Sequence, residues 1–144
     1  MKPGVDYIGV TTVFFCHDGK GNLLLHKRSK KCRDEKGKWD VGGGTMRRGE
    51  TFEGCVRREI KEEYKAKIIK LTFVRVNNVI RDNDGVLTHW VALLFSVVID
   101  PKTAKIGEPK KMDEIGWFKI NKLPKPLHSM LRTHLKMVRQ AKSI

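Results

Sequence analysis

Gly43-Gly44-Thr45-Met46-Arg47-Arg48-Gly49-Glu50 is followed, after seven residues, by Arg58-Glu59-Ile60-Lys61-Glu62-Glu63. The second half of this stretch reads as a helix from Thr51 to Lys65. Thr51 can cap it, and Phe52, Cys55, Val56, Ile60 and Tyr64 recur along one side. Helical geometry then places Glu59, Glu62 and Glu63 on one face, with β-carbons about 5–6 Å apart. Three ionised carboxylates that close repel one another unless a cation sits between them. A hard divalent ion with oxygen ligands, Mg²⁺ or Mn²⁺, meets that need. The glycines ahead of the helix let backbone approach a phosphate or a metal, because no β-carbon intervenes. A loop running into a helix N-terminus also favours anions. Taken alone, Glu62-Glu63 reads as a solvated acidic surface, and glycines mark ordinary turns. The joint spacing separates the two readings.

Working outward, Tyr7 to His17 is rich in β-branched and aromatic residues, as a buried strand is. Asp18 to Asn22 is a turn and Leu23 to Lys27 a second strand, which predicts a hairpin. Arg28 to Lys38 is polar and basic and reads as a surface loop, and Trp39 to Gly44 returns to a strand end. Beyond the helix, Ile68 to Arg81 and Val86 to Asp100 form two long strands joined at Asp82-Asn-Asp-Gly85. A loop from Pro101 to Met112 carries Glu108, and Ile115 to Ile120 is a short strand. Leu127, Leu131, Leu135 and Val138 predict an amphipathic C-terminal helix. The pattern is one α/β domain over residues 1–144, a mixed sheet with helices packed against it.

Thirty Lys and Arg against sixteen Asp and Glu give a net charge of +14. Such a field draws nucleic acid, acidic membrane surfaces or phosphorylated small molecules. Apart from Lys27 to Lys38 the cations are dispersed, so they read as a background that steers substrate. A nucleic-acid partner is compatible but not favoured. Cys16, Cys32 and Cys55 are odd in number and widely spaced, which suits a reducing, cytoplasmic setting. No apolar run is long enough for a membrane span, so no membrane partner is expected. The five histidines (17, 26, 89, 128 and 134) form no visible cluster in sequence.

The string G-x5-E-x7-R-E-U-x-E-E, with U apolar, is the signature of the Nudix hydrolases. The chain resembles that family at Gly44, Glu50, Arg58, Glu59, Ile60, Glu62 and Glu63. At residue frequencies of roughly 5–7%, this string arises by chance in about one protein in a million of this length. The resemblance implies a Nudix-type α/β/α sandwich, with the mixed sheet between helices. It implies Mg²⁺ or Mn²⁺ held by Glu59, Glu62 and Glu63, with a backbone oxygen near Gly44. Glu50 and Arg58 match the pair that orients the helix, and Arg58, Glu59 and Glu62 match catalytic positions. Glu59 is the first choice of base, and Glu108 and Glu114 are loop alternatives. The implied reaction is hydrolysis of a phosphoanhydride in a nucleotide-like substrate, such as ADP-ribose or a nucleoside triphosphate, leaving a nucleoside monophosphate. Arg28, Lys30, Lys31, Arg47 and Arg48 are candidate phosphate contacts, and Trp39, Phe73, Trp90, Phe95 and Trp117 are stacking or core aromatics. Lys65 and Ala66 stand where the motif closes with glycine and an apolar residue, and Gly42 where proline often precedes the glycine pair. Neither departure touches a ligand position. A Nudix-like module that binds nucleotide or RNA without cutting it is the alternative, and its mark would be a lost motif carboxylate. A homodimer is compatible with the apolar strands.

Overall fold

A computed structural model describes residues 1–144. Its organising strand is β1 (Gly9–His17). Phe14 and Cys16 point to one face of the sheet and Phe15 to the other, and all three are buried. A strand covered on both sides needs this near-continuous apolar run. Its parallel partner is β6 (Val86–Ile99), in register from Gly9↔Trp90 to His17↔Val98. Its other edge takes β4 (Gly42–Thr45), antiparallel, with Thr12 opposite Gly44.

Next to β6 lies β5 (Ile68–Asn83), an antiparallel partner joined through Asp84 and Gly85. Both turn residues have positive φ, 52° and 83°, as a tight hairpin turn demands. On the far side, β2 (Asn22–Arg28) pairs with β3 (Trp39–Asp40) and with β7 (Met112–Lys119). The expected β1–β2 hairpin shrinks to the single pair His17↔Leu23. A strand has only two edges, and those of β1 are largely taken by β4 and β6.

Two helices cover the two faces, giving the α/β/α sandwich. α1 (Phe52–Glu63) sets Val56, Ile60 and Tyr64 against Phe14, Leu24 and Phe95. α2 (Leu131–Gln140) sets Leu131, Leu135 and Val138 against Phe15, Leu23 and Leu94. The C-terminal helix starts at Leu131 and excludes Leu127, which bridges to Trp39 instead. Pro124 and Pro126 hold the preceding chain extended and keep the helix from starting earlier.

Thr51 caps α1, its hydroxyl oxygen accepting from the Gly54 N–H at 3.0 Å. At the other end the N–H groups of Tyr64 and Lys65 both donate to the Ile60 carbonyl, and Lys65 turns left-handed with φ 51°. For a residue with a β-carbon that conformation costs about 1–2 kcal/mol. Lys65→Gly is therefore expected to stabilise the protein by up to about 1 kcal/mol, part of the relief being offset by unfolded-chain entropy. Thermal denaturation should show a midpoint raised by a few degrees; an unchanged or lowered midpoint would contradict the strain.

Candidate active site

The close approach of α1 to β4 builds the site. A β-carbon on Gly44 would lie 2.1 Å from Cδ of Glu59, and one on Gly42 would lie 2.8 Å from Oε2 of Glu63. Only glycine leaves room for both carboxylates. The Gly43 N–H donates to Glu63 at 3.3 Å. The Gly44 carbonyl, expected as a metal oxygen, accepts from the Thr11 and Thr12 hydroxyls at 3.0 and 3.2 Å. Gly44 also contributes the space that its missing side chain leaves.

Arg58 orients the cluster. Its guanidinium grips Glu50 with two hydrogen bonds, 2.6 and 2.9 Å, and donates to Glu59 at 2.7 Å and to Glu62 at 3.4 Å. A planar fork against a carboxylate fixes direction as well as distance. The Arg58 bond and a backbone N–H from Arg47 pull the Glu50 carboxyl down to about 2.

The other two carboxylates behave in the opposite way. Burial pushes Glu63 well above the usual range, and Glu59 and Glu108 reinforce the effect. Glu59 is also raised by burial; Arg58 opposes this, while Glu62 and Glu108 add to it. Arg58 therefore offsets only part of what burial and neighbouring acids do to Glu59, and no cation pairs with Glu63. That donor set fits a divalent cation. No three acidic, His or Cys side chains converge closely enough to enclose an ion unaided. Water and phosphate oxygens would have to complete the shell, as is usual for Mg²⁺. Glu62 is 42% exposed and turned toward Arg58, so it belongs to the rim of the cluster.

Gly107 escaped the sequence reading. Its N–H donates to the Glu63 carbonyl at 2.7 Å, and the Lys105 N–H donates to that of Tyr64 at 2.9 Å. A β-carbon at Gly107 would meet the Glu62 carbonyl at 2.1 Å. The loop thus seats on the open carbonyls of the helix end and delivers Glu108 to the cluster. The signal was a glycine directly before the candidate Glu108. Glu114, the other loop candidate, sits on β7 opposite Lys27, and its charge is not among the largest influences on Glu59 or Glu63.

Beside the carboxylates opens a cavity of ≈ 310 Å³. Gly42 to Gly44 and Glu63 form one wall, and Trp90, Arg28, Arg81 and His128 stand around the rest. Trp90 is the candidate stacking aromatic that faces this space. Trp39 packs edge-on against Phe118, Trp117 packs against the α1-side core, and Phe95 is fully buried. Phe73 lies between Phe52 and Phe95. Of the candidate phosphate contacts, Arg28 reaches the cavity; Arg47 and Arg48 do not, lying instead beside Tyr7 to Val10. Lys30 and Lys31 are exposed and also absent from the cavity wall. The histidines that looked scattered converge, since His26, His128 and His134 all line this cavity.

The segment read as a basic surface loop also carries an acidic latch. Asp34 binds Arg28 at 2.9 Å and lies 3.7 Å from Arg81. Glu35 accepts from the Ser129 N–H at 2.7 Å and meets His128 at 2.7 Å, Lys38 at 3.2 Å and Arg81 at 3.2 Å. These contacts tie the loop across the cavity mouth to β5 and to the approach of α2. Burial pushes Glu35 up, but the Ser129 N–H, His128 and Lys38 outweigh it and hold the carboxyl at about 2. Burial raises Asp40 in the cavity wall to about 7, against the pull of Arg28.

Comparison with known proteins agrees with this architecture. The NUDIX domain family model matches residues 7–140. A MutT NUDIX hydrolase from Burkholderia pseudomallei superposes with a TM-score of 0.80 at 30% identity, over 92% of this chain and 99% of that one. The uncharacterized Nudix hydrolase YvcI of Bacillus subtilis is 29% identical over 100 residues; the match spans 69% of this chain and 58% of that relative's length. The NUDIX domain of Shewanella oneidensis NrtR, solved with ADP ribose, shares the fold at a TM-score of 0.70 and 16% identity, over 97% of this chain and 89% of that one. The chain belongs to the Nudix family, whose hydrolases are pyrophosphohydrolases.

Two outcomes test this geometry. Gly44→Ala should displace the Glu59 carboxylate and weaken Mn²⁺ binding at least tenfold in calorimetry while the far-ultraviolet spectrum holds; unchanged affinity would refute the contact. Because Glu35 titrates lower when folded, its stabilisation is complete above pH 4.5 and lost as pH falls through about 2. Glu35→Gln should cost about 1–3 kcal/mol at pH 7. The gap in melting temperature from the native protein should close between pH 4.5 and 2, and a gap constant across that range would remove the latch.

Proposed function

We propose that this chain hydrolyses a phosphoanhydride bond in a nucleoside diphosphate derivative, with a divalent cation, and releases a nucleoside monophosphate. ADP-ribose and nucleoside triphosphates are the substrates we place first. The observation that carries this reading is the pair formed by the buried Glu63 and the partly buried Glu59. Two crowded carboxylates, both pushed upward, stand beside a cavity of a size that accepts a small ligand.

Glu59, Glu63 and, at the rim, Glu62 would hold Mg²⁺ or Mn²⁺. Such an ion supplies charge neutralisation for the phosphates and a more acidic water. The chain's own residues do the rest. Arg58 stabilises and aims the Glu59 carboxylate, and Glu50 aims Arg58. Glu59 accepts the proton of the attacking water, with Glu108 as the alternative that the docked loop brings near. Trp90 offers a face to the base, Arg28 and Arg81 offer positive charge to the remainder of the ligand, and His128, whose burial disfavours the imidazolium, offers a hydrogen-bonding ring nitrogen. The free cysteines support a cytoplasmic setting, and no helix is long and apolar enough to cross a membrane. We read residues 1–144 as a single unit. A binding module without catalysis is disfavoured because every motif carboxylate is present.

Glu59→Gln and Glu63→Gln should each lower kcat by at least a hundredfold against ADP-ribose or the best triphosphate with saturating Mg²⁺, with the fold intact. Near-normal turnover in both variants would defeat the assignment. The same assay run over triphosphates, ADP-ribose, nucleotide sugars and dinucleoside polyphosphates identifies the substrate by its products.

A further inference from the structure

The face of α1 turned away from the carboxylates has a different character. Arg57 and Lys61 stand one turn apart on it, followed by Lys65 and Lys67, and all four are exposed. Together with Ala66, Ile68 and Thr103 they line one open depression of ≈ 530 Å³. The Lys67 N–H donates to the Thr103 hydroxyl and so fixes the neighbouring turn, on which Lys102 and Lys105 are also exposed. No acid lines the depression, and no ion pair in the protein involves any of these six cations. The carboxylates Glu59 and Glu62 are engaged with Arg58 on the other side.

Like charges one helical turn apart weaken a helix unless an external anion offsets them. Lys65 sharpens the point. It occupies a left-handed position that glycine would fill without strain, and its side chain makes no hydrogen bond or ion pair within the chain that would offset the cost. Its one evident contribution is charge at the centre of the depression. A strained residue with no internal return is a pointer toward an external ligand.

We propose that the Arg57–Lys61–Lys65–Lys67 surface binds the phosphate backbone of a nucleic acid. This goes beyond hydrolysis of a small nucleotide and does not depend on it. Several fixed cations along an open groove match a repeating phosphate chain. The depression lacks an aromatic platform, so it grips backbone and does not read bases. Its lining holds one large apolar side chain, the half-buried Ile68, with the exposed Ile69 beside it, too few to enter a lipid surface.

The test is fluorescence anisotropy of a labelled oligouridylate titrated with the full chain across a series of salt concentrations. The native protein should bind, with affinity falling steeply as salt rises. The variant Arg57→Gln/Lys61→Gln/Lys65→Gly/Lys67→Gln should bind at least tenfold more weakly. Its plot of log affinity against log salt should be shallower by about 3, at about 0.7 per lost single-strand phosphate contact. A control removes the same number of cations from the exposed side of α2 and its end (Arg132, Lys136, Arg139 and Lys142, each to Gln), and should bind within threefold of native. The triple variant that keeps Lys65 covers any folding defect, and turnover of the small substrate should be native in all of them. No oligonucleotide binding, equal losses in patch and control variants, or patch-dependent binding only to phosphatidylserine vesicles would each overturn the proposal.

Discussion

Everything in the site follows from how closely α1 lies against β4. Helices usually stand off a neighbouring strand by the depth of their side chains. Here Gly42 and Gly44 remove that spacing on one side, and Gly107 removes it at the helix end. The freed volume is filled by the Glu59 carboxylate at Gly44, by the Phe14 ring and the Glu63 carboxylate at Gly42, and by the helix-end carbonyls at Gly107. The helix tolerates this because the adjacent stripe, Val56, Ile60 and Tyr64, is fully buried in the core. Packing on one stripe therefore holds in place an electrostatic arrangement on another that would disperse if left free.

Charge is sorted around that helix. Glu50, Glu59 and Glu62 gather round Arg58, Glu63 is sealed behind them, and Glu108 is brought in by a loop. A second acidic group, Asp34 and Glu35, pairs with Arg28 and Arg81 at the cavity mouth, and Glu35 also contacts the His128 ring. An anionic ligand entering the cavity would compete with those side chains for the same cations. The mouth is thus polarised in advance toward negatively charged ligands, and its affinity for them is moderated by groups the protein already holds there.

The motif helix α1 and the central strands were legible because their signals are local. Motif spacing set Glu59 and Glu63 on one face, the apolar run marked β1, and Asp84-Gly85 fixed the β5–β6 turn. What stayed hidden was partner choice at long range. Nothing near Leu23 says that β2 will pair with β7 almost a hundred residues later and meet β1 only at His17. The same holds for the cavity: His26, His128 and His134 come from separate elements, and only the folded chain makes them neighbours. Asp34 and Glu35 were masked by the lysines and arginines around them in sequence. In space the two acids select particular cations, and average composition says nothing about that choice.

The parallel pairing of β1 with β6 carries a consequence for how the molecule assembles. β1 leaves the ribosome before β6, its long partner, which is synthesised some eighty residues afterwards. Until then Phe14 and Phe15, which end up buried on opposite sides, have no sheet to complete. Loop closure over such a distance slows the search for the native state, and topologies rich in distant pairings fold more slowly than local ones. The newborn N-terminal half should therefore be the aggregation-sensitive portion, and protection by a chaperone would matter most before residue 99 has emerged.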